Sequence, residues 1–317
     1  MLAGALGWVG RHGKAVLATG IFLGLAVPAL AALFRPLLTP SVVALLAFTL
    51  MRMDWGMLAG HLRRPLPSVL LVVWLLAASP ALMALATQLA GLPEGLAAAM
   101  LLWAASPPLI AAPALATLLG LDGALALVGT ALATFAMPLT LPPLALLLAG
   151  IDVGLDLGSL FLRLALLTFG ALALAILGRR TFGAAAIACH PGRIDGAIVL
   201  TLLAFAIAAM DGITAQAMAE PLRVGGFVLA AFVANLSFQA LGAVAFSRLP
   251  RRTALALGVT SGNRNLAVLV GSLGAAAPLD VFLYFAVGQL PIYLLPGLLA
   301  PIYRSLAGVQ SGQSGAE

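Results

Sequence analysis

Charge is what this chain has least of. Only 8% of its 317 residues are Asp, Glu, Lys or Arg and 63% are hydrophobic, whereas soluble domains carry roughly 25% charged residues. That composition excludes a water-soluble globular protein and leaves an integral membrane protein. Cysteine is nearly missing as well. Cys189 stands alone, which excludes an intrachain disulfide and a thiolate metal cluster. The three histidines, His12, His61 and His190, fall in expected loops, and no acidic residue lies midway along an apolar run. An enzyme working at bilayer depth needs a nucleophile with its base, or metal ligands, and neither is supplied. No enzymatic activity, cofactor or metal site is therefore expected. The net charge of +6 comes from basic residues scattered over short loops, so nucleic acid is not expected as a partner. Arg11 and Lys14 precede the apolar run 15–34 with no small-residue cleavage site after it, so that run is expected to stay as a first span.

What the chain does have is apolar length. Runs of roughly 20 residues, enough to cross about 30 Å of hydrocarbon, lie near 14–34, 38–56, 66–90, 95–119, 123–149, 157–178, 194–212, 222–247, 253–275 and 279–303. The fourth and ninth are interrupted, by SPPLIAAP (Ser106 to Pro113) and by TSGNRN (Thr260 to Asn265). Pro107, Pro108 and Pro113 should break the fourth helix and Gly262 the ninth. Most other prolines are expected at span ends. Trp8, Trp55, Trp74 and Trp103 partly suit interfacial belts. With ten spans, twelve basic residues fall on the side of the termini and only Arg35, Arg163 and Arg223 on the other. This bias puts both termini in the cytoplasm, as for a bacterial-type inner membrane.

An offset of 158 residues relates Asp122 to Asp280, Pro138 to Pro296 and Pro143 to Pro301. It suggests two five-span repeats, 1–156 and 157–310, followed by a disordered tail, 311–317. Five is odd, so the second repeat is inverted. Inverted repeats with one broken helix each are an arrangement found in secondary transporters, with the site where the breaks meet.

Arg264 is the one basic residue in the middle of a span. Leaving it there costs roughly 2.5 to 3.5 kcal/mol on insertion scales, so it should face protein or a polar cavity. Thr260, Ser261, Asn263 and Asn265 flank it and are candidate ligands for a substrate, along with Thr130 on the fifth span, Asn235 and Gln239 on the eighth and Gln289 on the tenth. Each also has a plainer reading. The hydroxyls of Thr130 and Thr134 can bond back to helix carbonyls, the Asn235–Gln239 pair can join helices, and Asn263, Asn265, Asp122 and Asp280 can cap helix ends.

The blocks Arg64 to Pro108, Leu121 to Leu144 and Thr260 to Val270 resemble the bile acid/sodium symporter family. The resemblance implies an all-α fold of ten transmembrane helices, with a panel domain (14–58 and 157–212) beside a core domain (65–149 and 222–305) in which helices 4 and 9 cross. The family's ninth-helix motif, Glu-x-Gly-x-Gln-Asn, is matched by Gly262 and Asn265, but its glutamate is Thr260 here and its glutamine is Arg264. In the fourth helix Pro107 matches, while the sodium-ligating Ser-Asn pair is Ala112 and Pro113. Thr130 matches a sodium ligand, a nearby serine position is Ala126, and the third-helix glutamine falls near Leu75. A hard cation wants several oxygen ligands, and most of them are gone.

The expectation is therefore a secondary transporter or facilitator of a small organic anion. It would work by alternating access without sodium coupling, with Arg264 as a fixed positive charge. A sodium-coupled bile-acid-type symporter and a non-transporting sensor or scaffold on the same fold are the alternatives. An arsenite-type permease would want a membrane-embedded thiol, and Cys189 lies by a loop. Partners are the substrate anion and the lipid bilayer. The oligomeric state stays open, a monomer included.

Overall fold

A computed structural model describes residues 13–53, 55–62, 65–149, 157–183, 187 and 191–308. His12, Cys189, His190, Trp8 and the expected tail 311–317 lie outside these residues. The protein is an all-α, multi-pass membrane protein. Among the described residues it has no strand, and seven helices are long and apolar enough to cross a membrane. Large apolar side chains such as Phe22, Leu33, Leu166, Leu147 and Leu298 are more than half exposed, as suits helices facing lipid rather than water.

Three of the expected runs do not give long helices. The first is described from Gly13, and its helix α1 (Gly13–Ala26) ends before Val27, which leaves helical geometry ahead of Pro28. A short helix α2 (Pro28–Phe34) and a 3-10 turn (Arg35–Leu37) then lead into α3 (Leu38–Arg52). The fourth and ninth runs are each cut in two, into α7 (Glu94–Ala105) and α8 (Ala112–Leu118), and into α14 (Arg251–Gly262) and α15 (Leu266–Leu273). Each half is too short to span alone.

Some expectations need correction. The run 38–56 stops at Arg52, where Met53 is extended, and His61 belongs to the short helix α4 (Trp55–Leu62) rather than to a loop. Prolines are not confined to span ends. Pro138, Pro142 and Pro143 lie inside α9 (Ala124–Ala149), and Pro291, Pro296 and Pro301 inside α16 (Leu279–Ala307). Neighbouring groups in a packed membrane protein can take up the carbonyls that proline frees, so the helices continue. Trp103 does not face lipid: it is buried edge-on against Phe238. Trp74, partly exposed, donates its Nε1–H to Ser261 Oγ at 2.8 Å.

The chain forms two compact units. The first gathers the described residues of Met1–Met53, Val153–Gly225 and Ala267–Ala286. In it α3 packs on α10 (Leu157–Phe182). The buried residues of α10, Leu160, Leu164, Leu167, Thr168, Ala171 and Ala175, form one stripe at helical spacing. α11 (Pro191–Ala209) takes α1 and α3 on its surface. Arginines join the helix ends. Arg35 meets Asp211 at 2.6 Å and lies over the Phe282 ring, and Arg223 binds Glu220 at 2.8 Å together with Asp280. At the other end of α3, Arg52 pairs with Asp195, and Arg179 Nη1 donates to the Met51 carbonyl at 2.7 Å. Exposed pairs of this kind contribute about 0–1 kcal/mol each, so they report adjacency more than stability. Asp280 thus sits in the first turn of α16 as an ion-pair partner, whereas Asp122 is a true cap, accepting from the Ala124 amide at 3.1 Å.

The second unit gathers the described residues of Asp54–Asp152, Gly226–Leu266 and Val287–Glu317. Its close contact is between α13 (Pro221–Ala245) and α14. A Cβ on Gly258 would run into the Gln239 carbonyl, one on Gly262 into the Asn235 carbonyl, and one on Gly242 into Ser261. The Gly258-x-x-x-Gly262 spacing is the small-residue pattern that lets membrane helices touch backbone to backbone. Gly258→Ala should therefore lower stability by about 1–3 kcal/mol, read as a loss of thermal stability in purified protein. Gly226→Ala, on α13 but with open space at its Cβ, should change stability by less than about 1 kcal/mol and in the stabilising direction.

Candidate functional site

The two interruptions meet. Ser106 to Ala111 and Asn263 to Asn265 leave helical geometry, and their backbones pair as an isolated antiparallel bridge between Pro108 and Arg264. The Leu109 amide donates to the Asn263 carbonyl at 2.7 Å, and the Asn265 amide to the Pro107 carbonyl at 2.8 Å. Interrupting a helix in a membrane frees backbone groups that lipid will not satisfy. Here each break satisfies the other. Pro107 and Pro108 carry no N–H, which removes two donors that would otherwise need partners. Two of the expected break residues are placed differently: Pro113 lies in the first turn of α8, and Gly262 is the last helical residue of α14.

Arg264 extends from this bridge into the second unit and is 1% exposed. Its Nε donates to the Ser261 carbonyl at 2.7 Å, Nη1 to the carbonyls of Leu75 at 2.9 Å and Ser106 at 3.2 Å, and Nη2 to Ser79 Oγ at 2.8 Å. Four of five guanidinium hydrogens thus have oxygen acceptors, and none of those acceptors is a carboxylate. Two of the carbonyls come from the C-terminal ends of α7 and α14. Such ends carry roughly −0.5 charge each, so together they offset about one positive charge.

The third acceptor has its own local origin. α5 (Pro65–Val73) and α6 (Ser79–Leu89) are joined by a π-helical segment, Trp74–Ala78, in which the Ser79 amide bonds to the Trp74 carbonyl. In that register the next amide would address Leu75, but residue 80 is proline and has no N–H. The Leu75 carbonyl is left free and Arg264 takes it.

The remaining candidates divide in two. Thr260 and Ser261 are fully buried and bond back to the carbonyls of Ala256 and Leu257, and Ser261 Oγ also accepts from Trp74 Nε1 at 2.8 Å. Asn263 Nδ2 donates to the Val259 carbonyl, which caps the end of α14. Asn235 and Gln239 belong to a buried chain in which Tyr303 donates to Gln239, Gln239 to Asn235, and Asn235 to the Gly262 carbonyl at 2.7 Å. Thr134 bonds back to Thr130, whose own buried hydroxyl has no protein partner. Of the predicted ligands, only Asn265 and Gln289 are partly exposed. Arg264, Thr260, Ser261, Asn263, Asn235 and Gln239 are brought together, and Thr130 stays outside their hydrogen bonds.

Sequence reasoning missed Ser79, Trp74, Tyr303 and the Leu75 carbonyl. The Ser79–Pro80 pair inside an apolar run was the available signal. A cavity of about 400 Å³ opens in the first unit beside Arg35, Thr39 and Phe282, and none of the predicted site residues lines it. Among the described residues no cluster of His, Cys, Asp or Glu could hold a metal.

No protein-family model matches the chain, and no curated protein matches it.

Arg264→Met would leave three carbonyls without donors and two helix C-termini without a cation. At about 1–3 kcal/mol for a stranded buried group, and with the cation's own desolvation cost relieved, the net loss should be about 3 kcal/mol. Thermal denaturation of the purified protein reads it. An unchanged melting temperature would show that the crossing holds without the guanidinium.

Proposed function

We propose that this protein is a secondary carrier or facilitator of a small organic anion that works by alternating access and draws no energy from sodium. The observation that carries the reading is the guanidinium of Arg264, held by oxygens of both helix breaks and of the π segment. A bound metal ion would otherwise be needed to neutralise two converging helix C-termini in the bilayer. The chain's own cation performs that work permanently.

Further features support the layout. Ten spans follow if α1, the seven long helices and the two cut helices each cross once. Ser106 and Arg264, bonded to each other, are 158 residues apart, the same offset that relates Pro138 to Pro296 and Pro143 to Pro301 inside α9 and α16. That is the expectation for two inverted repeats with one break each. The ion pairs of the first unit agree with the proposed orientation. Arg35, Asp211, Glu220, Arg223 and Asp280 meet at one end and Arg52 with Asp195 at the other, as they would with both termini cytoplasmic. In this reading the first unit contains most of the panel and the second most of the core.

Anion selectivity rests on electrostatics. With the C-terminal ends offset by Arg264, the N-terminal end at Leu266, next to partly exposed Asn265, presents an uncompensated partial positive charge. Arg264 is the fixed positive charge that cancels those two C-terminal ends; without it about one negative charge would stand about 6 Å from a bound anion, unfavourable by roughly 3 kcal/mol at an effective dielectric of about 20. Its hydrogen bonds are spent on the protein, and its charge keeps the crossing from repelling an anion.

Proteoliposomes loaded and challenged with mono- and dicarboxylates test this. Uptake should persist when sodium is replaced by potassium or choline, and Arg264→Gln should reduce it by about a hundredfold or more. Uptake that rises with an inward sodium gradient, or an Arg264→Gln protein that transports normally, would overturn the reading. Binding without flux would point instead to a sensor on the same scaffold.

A further inference from the structure

We propose that one end of the second unit, where α14 begins and α16 ends, is a docking surface for the phosphodiester headgroup of an anionic membrane phospholipid. Arg248 lies in the turn before α14, Arg251 and Arg252 open that helix, and Arg304 lies in the last turn of α16. Arg252 Nε donates to the Ala307 carbonyl at 3.3 Å, which brings the two helix ends side by side. All four arginines are exposed. Arg35, Arg52 and Arg223 of the first unit each have a carboxylate partner, whereas among the described residues none of these four makes an ion pair. The acid nearest in the bonding pattern, Asp122, is engaged by the Thr253 hydroxyl and the Ala124 amide. Four cations therefore stand against one committed carboxylate.

Exposed apolar residues at the same level identify the occupant. Leu298 and Ile302 precede Arg304 along α16 and Leu306 follows it, on another face of the helix but at the same end, and Val244 lies just before the turn that carries Arg248; all four are exposed. Apolar side chains leading up to a guanidinium cluster mark the level at which acyl chains give way to headgroups. A soluble anion would use only the arginines, whereas a phospholipid uses both surfaces. Fifteen of the sixteen basic residues in the chain are arginine, the side chain whose planar fork matches phosphate oxygens in pairs. The inference is independent of what the protein carries.

The experiment uses the purified full chain in neutral detergent, titrated with phosphatidylglycerol or phosphatidylcholine and read by native mass spectrometry and thermal stability. Phosphatidylglycerol should bind in preference and stabilise the protein. The triple variant Arg251→Gln/Arg252→Gln/Arg304→Gln should lose roughly a hundredfold in affinity for it, and Arg163→Gln, an exposed arginine of the first unit, should lose nothing. If the triple variant does not fold, Arg251→Gln/Arg304→Gln, which removes no recorded protein bond, should lose roughly thirtyfold. Equal binding of the two lipids, or variants that bind like the parent, would overturn the proposal. So would inorganic phosphate that competes as well as the lipid, because the surface would then be a soluble-anion site.

Discussion

A buried guanidinium surrounded by carbonyl oxygens is the interaction on which the second unit depends. Two helices stop inside an apolar region, and each stop exposes carbonyls with no amide to receive. The short backbone bridge between Pro107–Leu109 and Asn263–Asn265 satisfies part of that deficit. Arg264 takes the Ser106 and Ser261 carbonyls, and its charge opposes the partial charges of the two helix ends. Burying an arginine without a carboxylate is normally costly. Here the helix termini act as the counter-charge, and the cost is shared between two interruptions that would otherwise each be unfavourable.

Close packing makes this possible. Because Gly258 and Gly262 have no side chains, α13 comes near enough for Asn235 to reach the Gly262 carbonyl. Gln239 and Tyr303 then complete a chain of donors and acceptors that ties the end of α14 to α16. The interruption is thus supported on one side by Arg264 and on the other by buried amides. Side chains that looked like candidate ligands mostly serve to hold backbone in an unusual shape.

The membrane class and the position of both interruptions were legible in the sequence because they rest on composition and on proline, glycine and polar residues in otherwise apolar runs. Arg264 was legible for the same reason: a lone cation at mid-span is costly wherever it points. The partners of Arg264 were not, since a carbonyl is present at every residue and only three-dimensional register decides which are free. The placement of six prolines within α9 and α16 ran against local propensity, because in a membrane the neighbouring helices, and not the chain itself, decide whether a lost amide matters. Asn235 and Gln239 were recognisable as a pair at helical spacing, but their third member, Tyr303, lies 64 residues beyond Gln239.

Pro80 has a consequence for how this chain can diverge. Its missing amide leaves the Leu75 carbonyl open, and Arg264 closes it. Any other residue at position 80 would return a donor to that carbonyl, and a shorter side chain at position 264 would strand it. The two positions are physically coupled across 184 residues of sequence, and drift at one should be matched by drift at the other across descendants of this chain.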